Sequence, residues 1–262
     1  MFHGLLISAL CALFATGVVR VPVERLPDLQ TVVPQHVQIV NEHQREIIRF
    51  SNAIANTGNG TLQFHPEFPD ETATDQVFQN AYQDIFDDQG NLSRSLLVSQ
   101  FEFHPQHNHW HITGVALFEI RRANADGSIG AVLGTNSIKT TFCLVDWYKL
   151  VGPSRTPDRV YFECDRTAET QGISPGWADQ YHQATPGQEL DITGAPVGTY
   201  YLVSTANYED TFLETDYTNN AAWVKFKLKR ESNGNPKIDI IGQNPTSGPY
   251  AAALSGVGAP NR

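Results

Sequence analysis

From Val224 to Lys229 the chain reads V-K-F-K-L-K, apolar and basic residues in strict alternation. A period of two separates apolar residues from lysines only on an extended backbone, so this stretch reads as a strand with one face in a core. Further strands are expected at HVQIV (36–40), EIIRF (46–50), TGVALFEIRR (113–122), TTFCLVDW (140–147), RVYFEC (159–164), GTYYLVSTAN (198–207) and NNAAWVKFKLK (219–229). Residues 56–60 and the N-A-D-G of 124–127 supply turn chemistry. No 3.6-residue period persists for three turns. The expected fold is therefore mostly β, a single-domain antiparallel β-sandwich with long loops and little helix. Residues 69 to 100 are polar and rich in Asp and Gln, with some helical character. Residues 232–262, rich in Gly, Pro and Asn, read as a flexible tail.

The 262 residues suffice for one sizeable core. A formal net charge of −10 leaves nothing to neutralise phosphates and excludes nucleic acid as a partner. It suits cationic partners such as amines or basic proteins, and it serves solubility equally well. The apolar run GLLISALCALFATGV (4–18) is shorter than the roughly 20 residues of a membrane span. It has the character of a secretory h-region, with Ala15-Thr16-Gly17 as the cleavage zone. Residues 1–17 are thus read as a signal peptide or signal-anchor, with a secreted, extracellular protein and no stable membrane span after removal. Loss of Cys11 with the leader leaves Cys143 and Cys164, either a pair of buried thiols or a bridge. A bridge closing a loop of about 20 residues contributes about 3 kcal/mol. The mature domain is expected to run from 22 to 231.

Residues 103–114 read FHPQHNHWHITG, four of the nine histidines within eight positions. On a helix, residues two apart point roughly 200° from each other. On a strand His107, His109 and His111 share one face at intervals of roughly 6.6–7 Å and can converge on one ion, while Trp110 seats the other face. Nitrogen ligands suit copper or zinc. His104 has the other parity and stands before Pro105, as an outer group or a bystander.

Here the chain resembles the lysyl oxidase family, copper amine oxidases acting on peptidyl lysine and other primary amines. The family's W-x-W-H-x-x-H-x-H-x-H motif is matched from Phe101 to His111 with Phe for both Trp, which implies His107, His109 and His111 as copper ligands and His104 beside them. Lys139-Thr140-Thr141-Phe142-Cys143-Leu144 resembles K-x-S-F-C-L with Thr for Ser. Gln171-Gly172-Ile173-Ser174-Pro175-Gly176-Trp177-Ala178-Asp179-Gln180-Tyr181 resembles Q-G-[IL]-S-P-G-x-x-D-x-Y. The resemblance implies that Lys139 and Tyr181 form lysine tyrosylquinone. Asp28 and Leu29, with Glu214, Asp216, Asn219 and Asn220, match a calcium site of relatives; hard oxygen donors suit that cation, and a turn capping its own backbone is the alternative. Gln106 and Trp177 stand where animal members carry cysteines.

The implied reaction is oxidative deamination of a primary amine, on a small molecule or a lysine-bearing protein, by molecular oxygen. An aldehyde, hydrogen peroxide and ammonia are released. The quinone is the electron sink, Lys139 is expected to be partly buried and neutral, and Asp179 is the candidate base. A non-catalytic extracellular copper- or calcium-binding β-sandwich module is the competing reading, since it needs the histidines but no special Lys or Tyr.

Overall fold

Every strand pairing among the described residues is antiparallel. The computed structural model describes residues 20–68, 78–105, 108–153, 156–164 and 170–260, with backbone alone for 135–140. Its first strands are β1 (Glu24–Arg25), β2 (Leu29–Thr31), β3 (Gln35–Glu42), β4 (Arg45–Asn56) and β5 (Leu62–Pro66). Then come β6 (Phe78–Asp87), β7 (Leu92–His104), β8 (His109–Ala123), β9 (Ile129–Phe142) and β10 (Tyr148–Lys149). Short β11 (Gln171–Ile173), β12 (Trp177–Tyr181) and β13 (Glu189–Asp191) precede β14 (Gly198–Ala206), β15 (Ala221–Arg230) and β16 (Pro236–Gln243). One helical turn, α1 (Ala251–Leu254), follows. The mostly β reading holds.

A ten-stranded sheet runs β11-β5-β6-β7-β8-β14-β15-β16, with β1 on β6 and β9 on β8; a six-stranded sheet runs β10-β12-β4-β13, with β2 and β3 on β4. The main core brings Leu29, Ile48, Phe50 and Ile54 of the smaller sheet against Phe101, Trp110, Ile112 and Phe118 of the larger. Phe50 meets Phe118 edge to face at 4.9 Å between centroids, a geometry aromatic quadrupoles favour. The alternation read in β15 is observed, with Val224, Phe226 and Leu228 buried and Lys227 and Lys229 exposed.

Three expectations are corrected. The polar stretch with helical character becomes, from residue 78, the hairpin β6–β7. Its inward positions Gln79, Ala81, Gln83 and Ile85 keep the strand period, and Gln83 is buried at no cost in hydrogen bonds. Gln83 Nε2 donates to the Leu213 carbonyl at 2.8 Å, and its Oε1 accepts from the Leu213 N–H at 2.7 Å. The RVYFEC segment is not a strand. The N–H groups of Val160 and Tyr161 donate instead to the carboxylate of buried Asp146, at 2.8 and 3.2 Å.

The segment expected as a flexible tail supplies β16 as an edge strand on β15 and then α1. Tyr250, Ala253 and Leu254 are buried against Val32, Ala53, Ala55, Leu150 and Ala178, and the Val33 N–H donates to the Leu254 carbonyl at 2.8 Å. Its Gly, Pro and Asn residues shape turns between these anchors. Among the described residues no helix is long and apolar enough to cross a membrane; the leader expected at 1–17 lies outside them.

Leu254 is 4% exposed. Leu254→Ala is expected to cost about 3 kcal/mol of stability, the usual penalty for a cavity in a closed core. Urea unfolding measures it, and a loss under about 0.5 kcal/mol would show that the C-terminal segment is not part of the fold.

Candidate metal centre and active site

The histidine segment folds as two strands and a turn rather than one extended run. Asn108 has φ of +56° and donates its N–H to the His104 carbonyl at 2.8 Å, closing a turn that Pro105 opens, and β8 starts only at His109. Of the expected same-face run of His107, His109 and His111, the described residues hold the last two, on β8. The alternation holds from His109 onward, while His107 and Gln106 lie outside the described residues. His104 is corrected. The turn makes it the cross-strand partner of His109, as Glu102 is of His111, and directly opposed residues share a face. Phe101, Phe103, Trp110 and Ile112 take the other face. Phe103 and Trp110 pack edge to face at 5.2 Å, with Trp110 buried.

On the polar face the His109 and His111 Nε2 atoms are 2.9 Å apart. That is the length of an N–H···N hydrogen bond, and it is also close to the roughly 2.8 Å between two nitrogens held about 2 Å from one ion at the right angle of a tetragonal copper(II) site. The His104 ring stacks on His111 with centroids 4.0 Å apart, and its Nε2 lies 3.4 Å from Glu102 Oε2. Among the described residues no group of three His, Cys, Asp or Glu side chains encloses an ion. Of the expected trio, His109 and His111 stand side by side, and His107 lies outside the described residues.

The end of β9 joins this face to the tyrosine. Thr141 Oγ1 is 3.1 Å from His111 Nδ1, and the next residue, Phe142, meets the Tyr181 ring edge to face at 4.3 Å. Cys143, one further on, takes the phenol: its carbonyl accepts from the Tyr181 hydroxyl at 3.2 Å and its N–H donates to it at 3.1 Å. Thr141 and Phe142, as successive strand residues, point to opposite faces. The histidines thus contact Thr141, and the tyrosine contacts Phe142 and Cys143, the next two residues of the same segment. Cys143 is bonded to Cys164 as a disulfide, Cα to Cα 5.7 Å, which settles the alternative left open between bridge and free thiols. The Lys139 backbone lies on β9 opposite Leu117; its side chain, with the expected burial, is outside what the structure describes.

Tyr181 is delivered by a turn whose chemistry is visible in S-P-G. Pro175 and Gly176 occupy its central positions, Gly176 with φ of +82°, and the Trp177 N–H donates to the Ser174 carbonyl at 3.0 Å. That is the type II arrangement, in which glycine carries the positive φ. Asp146 anchors the turn, accepting from the Ser174 N–H at 2.7 Å and its hydroxyl at 2.8 Å. On β12, Asp179 is buried two residues before Tyr181 and shares its face. Burial first, and the Asp179 charge second, push the Tyr181 phenol well above its ordinary value of 10.

The family model for lysyl oxidase matches residues 78–234. The chain belongs to the lysyl oxidase family. Human protein-lysine 6-oxidase is 33% identical over 121 residues, 46% of this chain and 26% of that protein. The pig protein-lysine 6-oxidase is 31% identical over 46% of this chain and 44% of its own length, and human lysyl oxidase homolog 1 is 31% identical over 46% and 19%. The chain thus covers less than half the length of these relatives.

The second cluster expected in this lysyl oxidase family member draws the two ends of the domain together. Asn219 Nδ2 donates to Asp28 Oδ1 at 2.9 Å, and Glu214 accepts from the Leu29 N–H at 2.8 Å, Asn220 Nδ2 at 2.8 Å and Asn207 Nδ2 at 2.6 Å. Burial raises the Glu214 pKa, with the nearby Asp28 charge adding to it. Asn219 Oδ1 and Asn220 Oδ1 are buried without a hydrogen-bond partner, so two orphan oxygens and two carboxylates suit a hard cation. Asp216 is apart from this set: exposed, it accepts from the Thr218 N–H and hydroxyl and caps its own turn. Sequence reasoning missed Glu102, Thr141 and Asn207. Glu102 and Thr141 were legible only through cross-strand register, and Asn207 had no local signal.

The Tyr181 phenol has its folded pKa above the unfolded value. It therefore stabilises the fold below pH 10, and that contribution is lost as pH rises through the folded value. In metal-free protein the phenolate absorbance difference between wild type and Tyr181→Phe is expected only well above pH 10. Its appearance below 10 would contradict the enclosed phenol.

Proposed function

We propose that this chain is an exported, copper-dependent amine oxidase of lysyl oxidase type. It deaminates primary amines, peptidyl lysine or small amines, to aldehydes with release of hydrogen peroxide and ammonia. The observation that carries the reading is the end of β9, where Thr141, Phe142 and Cys143 touch His111, the Tyr181 ring and the Tyr181 hydroxyl in turn, two residues beyond Lys139.

His107, His109 and His111 would hold the copper, with His104 packed against His111. Lysine tyrosylquinone, built from Lys139 and Tyr181, supplies the electron sink that no ordinary side chain offers. The Cys143 backbone holds the phenol oxygen in one place, and the Phe142 edge fixes the plane of the ring. Asp179, buried and on the face of Tyr181, would take the proton from the carbon next to the substrate nitrogen. Oxygen is the terminal oxidant. Calcium would sit among Asp28, Glu214, Asn219 and Asn220, fastening the first strands to the loop before β15.

Copper-loaded, aerated protein is expected to release peroxide with simple primary amines and to yield a peptide pair joined through Lys139 and Tyr181. Lys139→Arg and Tyr181→Phe are each expected to bring peroxide to background. Unmodified Lys139 and Tyr181 peptides after full copper loading would rule instead for a non-catalytic binding module. Calcium at about 100 times its dissociation constant is expected to add about 2.7 kcal/mol of stability, and Asp28→Ala to remove that gain. Equal thermal shifts in both proteins would dismiss the calcium site.

A further inference from the structure

Thr141 stands where the family pattern has serine, and no role in the site has yet been given to its hydroxyl. We propose that Thr141 is a positioning residue of the metal centre. Its hydroxyl oxygen accepts the Nδ1 hydrogen of His111 and so holds the Nε2 lone pair of that ring toward the ion. The proposal deepens the copper reading and rests on it.

Hydrogen accounting carries the argument. A neutral imidazole that offers Nε2 as a ligand carries its hydrogen on Nδ1, and that hydrogen needs an acceptor to fix the ring. Thr141 Oγ1 lies 3.1 Å from His111 Nδ1, on the side away from the His109 nitrogen. The same oxygen lies 3.4 Å from His104 Nε2. Glu102 Oε2 is also 3.4 Å from that nitrogen. A hydroxyl has one hydrogen and two lone pairs, so Thr141 accepts from His111 and still has both a lone pair and its hydrogen to offer His104. Stacking at 4.0 Å then blocks rotation of His111 past His104.

The support is rigid. Phe142, the next residue, is buried in the core, and Cys143 beyond it is tied by its disulfide. A β-branched side chain also has fewer χ1 rotamers than serine, so threonine keeps its hydroxyl in place. One strand thus orients the ligand with one side chain and the tyrosine with the next two residues.

Two measurements test this. In metal-free protein, nitrogen–proton correlation spectra of the histidines read the tautomer directly. His111 is expected with its hydrogen on Nδ1, and a bare Nδ1 with hydrogen on Nε2 overturns the proposal. For the second, copper(II) affinity is measured by chelator competition, with paramagnetic resonance reporting nitrogen coupling. Thr141→Val is expected to weaken binding by about 10- to 100-fold and Thr141→Ser to stay within about threefold of wild type. Valine and wild-type proteins of equal affinity and spectrum overturn the proposal while leaving the copper reading intact. A wild-type protein that takes up no copper(II) at all removes both. Should the valine variant not fold, the tautomer and the serine variant, expected to keep wild-type nitrogen coupling, decide alone.

Discussion

The antiparallel pairing of β7 with β8 around the 105–108 turn decides which side chains meet. Because His104 opposes His109 and Glu102 opposes His111, four polar groups fall on one face, and Phe101, Phe103, Trp110 and Ile112 fall on the other. Burial of that apolar set locks the register, since a slip by one residue would send the imidazoles into the core. The polar face is therefore held by apolar packing behind it, with no need for the imidazoles to stabilise anything.

The same logic continues into β9. Gly114, with φ of +83°, interrupts the β8–β9 ladder between Ile112 and Ala116, a bulge that glycine makes possible. Beyond it the strand ends at Phe142, and the backbone groups of Cys143, no longer committed to a ladder, are available for the Tyr181 hydroxyl. A strand terminus serves here as a binding element. Asp146 performs a similar service three residues later, spending its carboxylate on the backbone of two loops that would otherwise be unsatisfied.

Much of this was legible in the chain and some was not. Alternation located β8, β14 and β15, because a half-buried strand writes its period directly into the sequence. It failed for β6, whose inward Gln83 satisfies itself on the Leu213 backbone and so looks like a surface residue. The S-P-G turn was legible because only glycine accepts its φ. The place of His104 was not, because parity counted through Pro105 and Asn108 assumes a continuous strand. Nor was the C-terminal segment, whose turn-rich composition hides three buried anchors.

The contacts that fasten the beginning of the domain are unusually distant in sequence. Leu29 meets Glu214, the Thr31 hydroxyl donates to the Asn220 carbonyl, and Gln35 reaches the Ser255 carbonyl, separations of 185, 189 and 220 residues. The opening strands therefore have two sets of partners: β4, a short loop away, and the 214–255 region, whose contacts close long loops and carry the larger entropic cost.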